Sequence, residues 1–111
     1  MLGRHTFSLL AILLAVGTAQ AQQSAVFGAG TASCASWIEA QQDPRAKLAM
    51  RQWLMGFLTG ANWRDNQQSF PIDDNAFYAL VTNYCTAHPD QPLVYGADEA
   101  LNKSPKVERP R

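Results

Sequence analysis

Two cysteines, Cys34 and Cys85, stand 51 positions apart in a short chain. If they bond to each other, the early part of the chain must lie against its last third, and few small folds allow that. Whether they bond depends on the compartment, and the first 21 residues speak to it. They read MLGRHTFSLLAILLAVGTAQA. Arg4, with His5, gives a positive start, Phe7 to Val16 is apolar, and Ala19-Gln20-Ala21 is a small-x-small cleavage signature. The apolar run is too short for a bilayer span, which needs about 20 residues. The expected product is an exported, periplasmic chain cut after about Ala21, in which an even cysteine count reads as the disulfide Cys34–Cys85. Closing a loop of that size stabilises a domain by roughly 4 kcal/mol in the chain-entropy treatment.

The mature part is one small domain with a limited core, of the kind that often needs a covalent staple. Without Arg4 it carries eight basic and nine acidic residues, a formal net charge of −1. That balance argues against nucleic acid, whose phosphates call for a basic face, and against electrostatic docking on an anionic membrane. After cleavage no membrane attachment is expected.

Residues 22–32 are rich in Gly, Ala and Ser and read as a flexible arm with Phe27 as its one large anchor. Residues 33–103 read as the helical domain. Ser33 or Thr31 offers a cap for a first helix reaching Gln42, with Cys34, Trp37 and Ile38 on one face. Asp43-Pro44 starts the longest helix, because Asp accepts from free helix-start N–H groups and Pro lacks one. That helix runs to about Arg64. Its broad apolar stripe comprises Leu48, Met50, Trp53, Leu54, Phe57, Leu58 and Ala61. Gly56 and Gly60 lie on one side of it. They suit a close helix crossing or, more simply, local packing or an early helix end.

After a loop over Asn66–Pro71, Asp73 or Asp74 caps a helix from Asn75 to about Ala87, with Ile72 placed as a hydrophobic staple. Phe77, Leu80, Val81, Tyr84 and Cys85 mark its inner face, and His88-Pro89 stops it. Asp90 to Asn102 offers a last short helix, weakened by Gly96. Residues 104–111 hold two prolines and read as a disordered tail. The expected architecture is all-α: three or four helices, the first stapled to the third.

Catalytic motifs are sparse. Cys85 and His88 share a helix face, yet a thiol nucleophile also needs an orienting group, an oxyanion hole and a pocket. Cys34, Cys85 and His88 with a carboxylate could form a zinc set, but exported thiols are normally oxidised. Asp73/Asp74 read as a cap and Asp98/Glu99 as a solvated face, since neighbours on a helix do not face each other. There is no phosphate loop, nucleophile elbow or HExxH. The expectation is a protein without enzyme activity, metal or cofactor. Trp63, Phe70 and Tyr78 are left unexplained by the apolar stripes, and exposed aromatics there would suit a protein-binding surface.

Cys34 near Trp37, a long middle helix, and Cys85 followed by Pro89 in "CTAHPDQPL" resemble the layout of HdeA/HdeB-type periplasmic acid-stress chaperones. "WLMGFLTG" and "NYCTAHPDQPL" are also similar to periplasmic immunity proteins that neutralise type VI effectors. A further resemblance is to exported proteobacterial proteins carrying W-x-x-G-F-L-x-G-x-N and then Y-C-x-x-x-P. Here these are Trp53, Gly56, Phe57, Leu58, Gly60 and Asn62, then Tyr84, Cys85 and Pro89. The chaperone resemblance implies a helical fold with one buried disulfide. It also implies a homodimer at neutral pH and binding of unfolded clients once acid separates the subunits. Near pH 2 the carboxylates are largely protonated, and the formal charge rises to about +9, counting His88. The immunity resemblance implies a specific protein partner instead.

Overall fold

The computed structural model describes residues 25–64 and 68–109. The leader expected over residues 1–21 lies outside them. The described residues form four helices: α1 (Cys34–Ala40), α2 (Pro44–Arg64), α3 (Asp74–Ala87) and α4 (Leu93–Lys103). A 3-10 turn, Gly28–Thr31, precedes α1. Two short strands, β1 (Gln68–Ser69) and β2 (Val107–Glu108), pair antiparallel with Gln68 opposite Glu108 and Ser69 opposite Val107.

Local capping chemistry sets where three of the helices begin. Ser33 Oγ accepts from the Ser36 N–H at 3.1 Å. Asp43 Oδ1 accepts from the Arg45 N–H at 3.0 Å, and Pro44 takes the first position of α2. Asp73 Oδ1 accepts from the Ala76 N–H at 2.8 Å. Each bond satisfies a donor that a helix start leaves unpaired, worth about 1 kcal/mol. α4 is different. It begins at Leu93, later than Asp90, because Pro89-Asp90-Gln91 are occupied elsewhere. Gln91 and Pro89 carbonyls accept from the N–H groups of Cys34 and Ala35 at 2.7 and 2.9 Å, and the Leu93 N–H donates to Ala32 O at 2.7 Å. The loop after α3 thus supplies acceptors for the open start of α1.

The disulfide Cys34–Cys85 joins α1 to α3 at that junction, with both cysteines fully buried. Trp37 is fully buried beside it and donates its indole N–H to Thr82 Oγ1 at 3.0 Å, so its polar edge is paired. Phe77, Val81, Leu93 and Ala97 complete the centre from α3 and α4. Gly96 explains how α4 comes so near: a Cβ there would lie 3.1 Å from Cys85 Sγ. Its cost to helix propensity is offset by this approach.

Several sequence expectations are corrected by the packing. Ile38 is exposed, because the seven-residue α1 is covered on one side, and Trp37 and Ala40 take that side. On α2 Met50, Leu54 and Leu58 are buried and Trp53, Phe57 and Ala61 pack half-buried against the core as expected, but Leu48 is 59% exposed. The arm is structured from Gly28. Its anchor is the Phe27 carbonyl, which accepts from Trp53 Nε1 at 2.8 Å, while the Phe27 ring is exposed. The tail expected to be disordered from Ser104 is placed as far as Arg109. Ser104 Oγ donates to Ala100 O at 2.7 Å, β2 pairs with β1, and the Arg109 guanidinium donates to the Asn62 carbonyl at the end of α2. Asn62 Oδ1 also accepts from the Phe70 N–H at 2.8 Å, so one side chain and one carbonyl tie β1 and the tail to α2.

Candidate protein-binding surface

Trp63, Phe70 and Tyr78 do not form one surface. Trp63, in the last turn of α2, is 81% exposed. Phe70 is 8% exposed and Tyr78 7%, and both belong to the core. Phe70 is drawn in because the loop holding it is fixed to Asn62. Tyr78 is enclosed because α3 is packed on two sides. Its ring lies 6.0 Å from that of Trp37 of α1, and the Arg51 guanidinium of α2 sits 4.5 Å over it. Burial raises the Tyr78 hydroxyl above its ordinary pKa of 10.0. The Asp74 charge adds to the rise, and Arg51 opposes it.

Gly56 and Gly60 do not mark a helix crossing within this domain. Among the described residues a Cβ at either would meet nothing within 4 Å, and α2 continues past both to Arg64. The close approaches are instead at Gly96 and at Gly30, the latter lying against the Trp53 indole. Cys85 and His88 do not make a reactive pair, since Cys85 Sγ is bonded to Cys34. His88 caps α3 through its N–H to Tyr84 O at 2.9 Å, and its ring rests 4.4 Å from that of Tyr84. Of the acidic pair on α4, Glu99 meets Lys103 at 3.5 Å. Asp98 faces elsewhere.

Asp98 borders an open groove of about 820 Å3 built from three parts of the chain. Val26 and the 3-10 turn form one wall, Phe57 of α2 the next, and Val94 and Tyr95 of α4 the third. Trp53 positions the first wall by holding the Phe27 carbonyl, and the two rings of Trp53 and Phe57 stack at 5.8 Å. Tyr95 is 53% exposed, and Phe27 stands exposed on the segment that also carries Val26. A concave surface with apolar walls and a single charge on its rim is suited to holding an apolar side chain from outside. A second, smaller groove of about 340 Å3 runs between α3 and α4 past Tyr84, His88 and Lys103.

The sequence held a signal for the larger groove. Val94 and Tyr95 flank the buried stripe of Leu93, Ala97 and Ala100 on α4, so they are apolar positions beyond what that helix needs for its core. What the sequence lacked was the turn over Gly30 that brings Val26 opposite them.

Fold and site together define a class: a small helical domain, closed by one buried disulfide, with an apolar groove open to solvent. No helix among the described residues is long and apolar enough to cross a membrane. Comparison with protein-family models, with curated proteins and with solved structures returns no significant match.

Proposed function

We propose that this is an exported periplasmic domain without enzyme activity that holds apolar segments of other proteins. The observation that carries the reading is the groove between Val26, Phe57 and Tyr95, which the described residues leave open and line mainly with apolar side chains. Such a surface binds without prior unfolding, so the reading favoured is a specific partner engaged at neutral pH, as the immunity-protein resemblance implies. The test is affinity capture from periplasmic extract with the oxidised, mature chain at pH 7. One stoichiometric partner, lost on Phe57→Ser, supports the reading; no partner at pH 7 contradicts it.

A second reading is acid-triggered chaperoning of unfolded clients. It is favoured by the charge balance, since nine carboxylates offset eight basic residues in the mature chain. In acid that offset is lost, and self-repulsion loosens the domain and exposes more apolar surface. The disulfide would keep the loosened chain from opening completely. Suppression of client aggregation at pH 2–3, absent at pH 7, is the outcome this reading requires.

A further inference from the structure

The groove contains one charge. Val26, Phe57, Val94 and Tyr95 are apolar or aromatic, and Asp98 closes the rim. Asp98 has no ion pair or hydrogen bond among the described residues, whereas its neighbour Glu99 is matched by Lys103. On α4, Asp98 lies one turn after Val94 and three positions after Tyr95, so the two residues stand on the same side of the helix, with backbones about 4.5 Å apart along the axis. An apolar side chain seated between Phe57 and Tyr95 therefore leaves its flanking residue beside an unmatched negative charge. Apolar walls lower the local dielectric and strengthen that field relative to open water. The aromatic rings favour a cation as well, through their electron-rich faces.

We propose that the groove selects protein segments in which an apolar or aromatic residue is flanked, within about one helical turn, by Lys or Arg. This rests on the protein-binding reading and adds the chemistry of the partner. Asp98 is the selectivity residue, and the apolar walls supply most of the affinity. Because the groove is open and the pair partly solvated, the preference is modest, about fivefold between a basic and a neutral flank. It falls with added salt.

The probes are fluorescent, end-capped hexapeptides that contain one Phe and differ at a flanking position: Lys, Ser or Glu. They are titrated against the oxidised mature chain at low and high salt, and against Asp98→Asn. Chemical-shift changes at Val26, Phe57 and Val94 report where they bind. The expected order is Lys over Ser over Glu, compressed by salt and abolished in Asp98→Asn. Equal binding of all three in the unmutated chain overturns the charge selectivity while leaving a peptide groove in place. Binding of none overturns the protein-binding reading itself. Lysine amide bound as tightly as the Phe-Lys peptide makes this a small-cation site and overturns the proposal. So does a concentration-dependent dimer, seen by sedimentation, that the peptides dissolve.

Discussion

Gly30 lies so close under the Trp53 indole that a Cβ on it would sit 2.1 Å from Cζ2. The same indole donates to the Phe27 carbonyl at 2.8 Å. One tryptophan thus fixes the N-terminal segment from both sides of its turn and places Val26 as a wall of the groove. Gly30→Ala forces either the ring or the turn to move, and the cost expected of such overpacking is about 1–3 kcal/mol. Urea denaturation should show that loss. Tryptophan emission should shift toward that of a solvated indole while far-ultraviolet circular dichroism stays unchanged, since the turn contributes little helix.

Gly56→Ala and Gly60→Ala should move stability the other way. Both glycines sit within α2, and an added Cβ meets nothing within 4 Å. Each substitution should gain up to about 1 kcal/mol from helix propensity alone. The gain is read as a higher urea midpoint with an unchanged slope. A loss at either site would mean that this face is covered in solution by something beyond the described residues.

Phe70 and Trp63 separate core from surface. Phe70→Ala removes a buried ring from the core and should cost about 3–5 kcal/mol. Trp63→Ala removes a ring that is 81% exposed, and stability should stay within about 0.5 kcal/mol. Paired thermal melts decide this. A Trp63→Ala variant as unstable as Phe70→Ala would show that the ring is packed.

The contrast between those two residues shows what a sequence reading can reach. Local chemistry was legible: Asp43-Pro44 and the Asp73-Asp74 pair mark helix starts because the bonds that cap them span only two or three positions. The disulfide was legible from the even cysteine count and the export that the first 21 residues lead one to expect. Burial that depends on distant segments was not. Phe70 stands in a loop with no periodic context, and its place is set by Asn62, eight positions earlier. Tyr78 sits beside Phe77, and a helix covered on one side would bury only one of two adjacent residues. Both are buried here because α1 and α2 close on α3 from different directions. The strands β1 and β2 escaped notice since two-residue ladders held by backbone bonds leave no alternating pattern.

Tyr78 gives the fold an alkaline limit. Its hydroxyl pKa is raised in the folded chain, first by burial and then by Asp74. The folded state therefore keeps the proton where the unfolded state loses it. Stability from this group is complete below the unfolded pKa of about 10 and declines as pH rises through the folded value. As pH rises above about 10, the urea midpoint should fall more steeply than in Tyr78→Phe, which keeps the ring under Arg51 but has no proton to lose. Parallel slopes for the two proteins would assign the alkaline loss to other groups.

The disulfide should act mainly on the unfolded chain. The start of α1 and the residue before its cap are held to the α3–α4 connection by three backbone bonds that need no sulfur: the N–H groups of Cys34 and Ala35 donate to Gln91 and Pro89, and that of Leu93 to Ala32. Cys34→Ser with Cys85→Ser can keep those bonds, so the folded secondary structure should survive at low temperature. What it loses is the closed loop of 51 positions, worth about 4 kcal/mol, and it places two hydroxyls at fully buried sites. The double variant should therefore unfold at a much lower urea concentration. Its denaturant slope should rise, because an unfolded chain freed of its cross-link exposes more surface. A lower midpoint with an unchanged slope would assign the loss to the buried hydroxyls. Cys34→Ala with Cys85→Ala distinguishes these causes, since it opens the loop without burying a polar group.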